Sequence, residues 1–130
     1  MCRGEDWPEW RGQGRGGVWT ESGILEKFPS AGIKALWRTP VRAGFAGPAV
    51  SAGRVYLTDF ERTSGNKGTE RALALDEKTG KVLWTREWPA NYQGVSYGIG
   101  PRATPTIDGD RVLSLAPAAS YFACAPAPAK

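Results

Sequence analysis

Carboxylates at Asp6, Glu9, Glu21, Asp59, Glu61 and Asp76 are the side chains of this chain best suited to acid–base chemistry, yet their spacing sets no two of them on one catalytic face. Most read as solvated charges. Asp76 is better used in a turn, where it can accept backbone N–H bonds. Histidine is absent, which removes the commonest general base and metal ligand, and with it the Ser/His/Asp, Cys/His and HExxH schemes. The two cysteines, at positions 2 and 124, lie in the first and last segments, and their spacing argues neither a disulfide nor a metal site. RGQGRGG at 11–17 supplies only two arginines, too few for an Arg-Gly nucleic-acid segment that works by many repeated phosphate contacts. Its glycines nearly meet GxGxxG, but no strand precedes them and no helix follows, so a dinucleotide fingerprint is excluded. We read it as a turn-rich lead-in, with no nucleic-acid partner expected. Ligand contacts would fall on the loop at 88–103, at Tyr97 and Arg102 with Tyr92 nearby, because loops on rigid scaffolds commonly carry function. The plainer reading is that Gly98, Gly100 and Pro101 shape an ordered connection in which Arg102 pairs locally.

The elements that must hold these residues are short and β-like. Residues 1–38 form a Gly- and Trp-rich lead-in, broken by Pro8 and Pro29, that is expected to finish in an outer strand at Lys34 to Arg38. GPAVS (47–51) and RVYLTD (54–59) are strand-like and joined by a tight Ala52-Gly53 turn. A polar stretch at 61–69 separates them from RALALD (71–76), and EKTG turns the chain into KVLWTR (81–86). The result is an antiparallel four-stranded meander over 39–88. Residues 89–115 then hold a long loop and the start of a second unit: Pro48, Val50, Arg54 and Val55 recur as Pro105, Ile107, Arg111 and Val112 at one offset of 57 residues. The LW pair ending in Trp37 recurs as the pair ending in Trp84. Four strands per unit with a repeat of this size is the signature of a β-propeller blade. The fold class is therefore all-β, with about one and a half blades.

Charge and hydropathy add little to this. A net charge of +4 comes from scattered Lys and Arg, as on a solvated mixed surface. No stretch approaches the roughly 18 apolar residues of a membrane span, and no secretory signal layout opens the chain.

ALDEKTGKVLW at 74–84 fits the pattern AxDxxTGxxxW at every specified place. Ala74 is small where its strand passes its neighbours, Asp76 and Thr79 support the turn, Gly80 can take a positive φ, and Trp84 is placed to wedge against an adjacent blade. With Trp37, these six form the structural blade motif. The stretch resembles the tryptophan-docking repeat of the PQQ-like, quinoprotein-type propellers, and the opening DWPEWRG with FAGPAV and YGIGPRATPTIDGDRVL resembles a bacterial subgroup of them.

The resemblance implies a propeller of PQQ-like blades, exported to the periplasm or cell envelope. Two functions follow from it. One is a non-enzymatic interaction or assembly scaffold similar to BamB, binding protein partners through the propeller face. The other is a quinoprotein alcohol or sugar dehydrogenase with PQQ and calcium in its channel. No catalytic or cofactor residue can be assigned here, and no cofactor is expected in this stretch, so the scaffold is preferred. The chain reads as part of a longer parent that supplies the remaining blades, and alone it is expected to fold poorly. Met1 and Cys2 stand where a signal or lipoprotein sequence would end. Residues 116–130 read as a disordered, frameshifted tail: back-translated and shifted by one nucleotide, with permitted codons, they spell GAGGKLLCLRPGTGK, a third strand and TG turn.

Overall fold

Short runs of β-branched and apolar residues between glycine-bearing turns build two antiparallel sheets. The computed structural model describes residues 4–117 and 121–124, the last four as backbone alone. The first sheet is a meander of β1 (Ala49–Ser51), β2 (Arg54–Ser64), β3 (Lys67–Asp76) and β4 (Val82–Asn91), bonded in chain order. The second joins β5 (Thr106–Asp108), β6 (Arg111–Leu115) and β7 (Tyr121–Cys124) in the same way. The all-β class and the meander expected from the sequence are both present. A three-residue 3-10 turn spans Gln13–Arg15.

Register decides where the core lies. Ala74 sits opposite Tyr56 on β2 and Trp84 on β4, and Glu70 opposite Phe60 and Trp88. Side chains alternate across a strand, so these rows share one face of the first sheet. That face packs on Val112, Ala116 and Ile107, forming one apolar cluster with Ala49, Tyr56, Ala72, Ala74, Trp84 and Trp88. β6 alternates buried and exposed positions with Val112 and Ser114 inward. The core is thus the seam between the sheets, with β1 lying against β5 at their converging edges.

The lead-in stitches those edges together. Trp7 and Val50 exchange two backbone hydrogen bonds, of 2.7 and 2.9 Å, and the Ile107 amide donates to the Pro8 carbonyl at 2.8 Å. Beyond this stitch the lead-in stays largely open, with Leu36 and Phe28 among its exposed apolar side chains.

Several boundaries differ from the sequence reading. Lys34 to Arg38, expected as an outer strand, has no strand partner among the described residues, and Trp37 and Thr39 bond through their side chains to the 76–81 turn. The polar stretch at 61–69 is not a separator but the end of a long hairpin, closed where Gly65 adopts φ 55. β4 runs on to Asn91 and absorbs the start of the expected long loop; Pro89 is tolerated because β4 is an edge strand. Within the expected disordered tail, Tyr121–Cys124 is instead strand β7, because β6 offers an edge for it to pair with. This is the third-strand position that the alternative frame assigned to LLCL. The expectations for Met1 and Cys2, for 118–120 and for 125–130 lie outside the described residues.

Candidate functional site

The 76–81 turn is held by its own side chains. Asp76 Oδ1 accepts from the Lys78 and Thr79 amides at 3.1 and 2.8 Å and from the Thr79 hydroxyl at 2.7 Å. The Asp76 amide donates to the Lys81 carbonyl at 2.8 Å, and Gly80 closes the turn at φ 68. Trp37 docks on this surface: its indole N–H donates to the Glu77 carbonyl at 2.8 Å, and the Thr39 hydroxyl donates to the Gly80 carbonyl at 2.6 Å. The hydrogen bond from the Thr79 hydroxyl, then that from its amide, holds the Asp76 carboxyl below its ordinary value of 3.8. A depressed carboxylate contributes stability that is present above the unfolded value and lost as pH falls through the folded one. Asp76→Asn is therefore expected to flatten the fall in urea midpoint below about pH 4, measured by tryptophan fluorescence.

The seam between the sheets explains the small residue in the motif. Tyr56 and Trp84 flank Ala74 in direct register, with ring centroids 6.2 Å apart. Ala74 is fully buried between them, and a larger side chain there would have to part the two rings. Trp84 joins the cluster that contains Val112 and Ala116, so the motif tryptophan lies at the contact with the second sheet.

On the opposite face, charged residues form a second row. Asp59, Arg71 and Glu87 are direct cross-strand neighbours on β2, β3 and β4. Arg71 grips the Asp59 carboxylate with two bonds, Nε to Oδ1 at 2.7 Å and Nη2 to Oδ2 at 2.9 Å. The Arg42 amide adds a third at 2.7 Å. Asp59 is buried, and its pairing pushes the Arg71 guanidinium further up. Arg42 also reaches Glu61 and Glu87 at 2.9 and 3.1 Å, exposed contacts of small energetic value.

A buried acid completes the picture. Glu70 is fully enclosed, its carboxylate accepting from the Tyr92 hydroxyl at 2.8 Å, while Tyr92 packs edge-on against Phe60 with centroids 4.9 Å apart. Burial pushes the Glu70 carboxyl up, with Tyr92 and Trp88 pulling it partly back. Burial also raises the Tyr92 phenol, and Glu70 raises it further. An acid raised in the folded state contributes stability that is full below its unfolded value, near 4.5, and lost as pH rises through the folded value. Glu70→Gln keeps the oxygen that accepts from Tyr92 and removes the charge. It is expected to raise the urea midpoint at pH 7 while leaving that at pH 4 nearly unchanged.

Residues 27–125, covering all seven strands, match the family model described as Outer membrane protein assembly factor BamB. The chain belongs to this BamB family. No curated protein matches it.

Within the BamB-family stretch, Ala74, Asp76, Thr79, Gly80, Trp84 and Trp37 are brought together as one structural unit: a turn, the tryptophan docked on it, and the seam next to it. Tyr97 and Arg102 lie apart from that unit on the loop between β4 and β5. Arg102 Nη2 donates to the Ser96 carbonyl at 3.1 Å and to the Gly98 carbonyl, and its guanidinium stacks on Phe45 at 5.6 Å. Tyr97 is 94% exposed, with φ 72. Sequence reasoning missed the charged row and the buried Glu70–Tyr92 pair. A mixed-sign triplet aligned across three strands is the signal, and it needs the register to be seen. Among the described residues, no three of His, Cys, Asp and Glu converge where they could hold a metal ion. Among the same residues, no helix is long and apolar enough to cross a membrane.

Proposed function

We propose that this BamB-family chain contributes blades to a cell-envelope scaffold that binds protein partners through its exposed loop surface. The carrying observation is the 92–105 loop. It presents a nearly fully exposed Tyr97 at positive φ beside an Arg102 guanidinium stacked on exposed Phe45. A non-glycine residue held in this region stores strain that the surrounding structure must over-determine, and here Arg102 does so by tying down the Ser96 and Gly98 carbonyls. Tyr and Arg fixed in place are the residue types that dominate interface energetics.

The test is a photo-cross-linking residue at Tyr97 in the native envelope, with Arg102→Ala as the variant that frees the loop. An adduct to an envelope protein that is lost in Arg102→Ala supports the scaffold. Calcium-dependent dye reduction with an alcohol or sugar in the presence of PQQ, without such an adduct, would establish the dehydrogenase reading in its place.

A further inference from the structure

Three of the six tryptophans, Trp7, Trp10 and Trp19, line one open cleft of about 610 Å³ on the lead-in side of the molecule. Its walls are built, not incidental. Trp7 is fixed by the backbone exchange with Val50, and Gly12 lies against its ring so closely that a Cβ there would come within 2.7 Å of the indole. Glu21 accepts from the Glu5 amide and Glu5 accepts from the Thr20 hydroxyl, which holds residues 5 and 19–21 side by side. Trp19 is thereby set edge-on to Trp7, with centroids 6.2 Å apart and planes at 64°.

The charges around this corner are unequal. Glu5, Glu21 and Glu77 line the cleft against a single cation, Arg11, whose guanidinium already stacks on Trp10 at 5.5 Å. The cleft is acidic and apolar on a chain whose net charge is +4. A primary ammonium would be drawn to one carboxylate at the rim and make little use of the indole faces that form most of the walls. A sugar would need its several hydroxyls matched one by one, whereas Glu21 and Glu5 already accept from the Glu5 amide and the Thr20 hydroxyl, and Arg11 is stacked on Trp10. A quaternary ammonium has no N–H to satisfy, spreads its charge over methyl groups, and is attracted to indole faces set at an angle with carboxylates behind them.

We propose that the Trp7–Trp10–Trp19 cleft binds quaternary ammonium groups. Choline and a phosphatidylcholine headgroup carry the same chemistry, and the test separates them.

The experiment titrates the purified chain with choline and follows tryptophan fluorescence. Dimethylbutanol, the neutral carbon isostere of choline, serves as the control for charge. Choline is expected to saturate the signal, with the isostere at least about 5-fold weaker. Trp19→Ala is expected to weaken choline about 10-fold or more, and Glu21→Gln to weaken it several-fold. Trp19 is 65% exposed, so its removal should leave far-ultraviolet circular dichroism unchanged. Co-sedimentation with phosphatidylcholine but not phosphatidylglycerol vesicles assigns the ligand to the headgroup, whereas choline binding without vesicle binding assigns it to the free molecule. Equal binding of the isostere, an unchanged affinity in Trp19→Ala and Glu21→Gln, or a titration that never saturates would overturn the proposal.

Discussion

Asp59→Asn is expected to lower the free energy of unfolding by about 2–3 kcal/mol, because it takes away the buried charge that the partly exposed Arg71 guanidinium is bonded to. Asp59 is 1% exposed, and its carboxylate accepts both Arg71 bonds and the Arg42 amide. Asn keeps one oxygen for Arg42 but turns an NH2 donor toward the guanidinium and removes the compensating charge. Arg71 lies on β3 between β2 and β4 with its side chain 18% exposed, so water partly solvates the guanidinium and limits the loss. Urea unfolding followed by fluorescence measures the loss. A second variant separates the charge from the packing: Asp59→Leu combined with Arg71→Met should lose clearly less than Asp59→Asn alone, since it strands no ion. If the single and double variants lose equally, lost packing and not a stranded charge accounts for the effect.

Gly80→Ala is expected to cost about 3 kcal/mol, through two separable effects. The backbone at φ 68 is strained for any residue with a Cβ, at roughly 1–2 kcal/mol. The added methyl would stand 2.4 Å from the Trp37 ring, and a rigid indole can clear it only by leaving the turn. Leaving forfeits the bond to the Glu77 carbonyl, worth about 1 kcal/mol, together with the packing around it. The two parts can be told apart in the Trp37→Ala background, where no ring remains to displace. There, Gly80→Ala should cost the backbone strain, about 1–2 kcal/mol, and whatever shift the Thr39 hydroxyl needs to clear a Cβ at 2.7 Å. Equal losses in both backgrounds would mean that Trp37 does not press on this glycine.

These two variants mark two kinds of information in the chain. Gly80 belongs to a turn whose partners lie within a few residues. Asp76, Thr79 and Gly80 sit at the spacing that lets a carboxylate cap the amides of Lys78 and Thr79, so the turn was legible before any fold was known. Short runs of β-branched, aromatic and aliphatic residues at 54–59 and 71–76, bounded by turn residues, made the strands legible, and the recurrence of Pro48, Val50 and Val55 downstream announced a second unit. Strand ends were less legible. β2 and β3 extend through Arg62 and Gly68, polar and small residues whose strand character comes from pairing with each other.

Asp59 represents the second kind. Nothing near it in the chain names Arg71 as its partner, and a register slipped by one residue would have put Asp59 on the seam and Phe60 in the charged row. Glu70 reads as an ordinary surface acid until the pairing sets it opposite Phe60 and Trp88 and beneath Tyr92. Trp7 and Trp19 become one corner only because Glu5 and Glu21 tie their segments together. The sequence by itself determined the β class, the turn chemistry and the repeat, since each rests on residue type and on spacing along the chain. Only the tertiary structure decided which charges pair, which acid is buried and where the tryptophans gather, because those depend on contacts between residues far apart in the chain that register alone brings together.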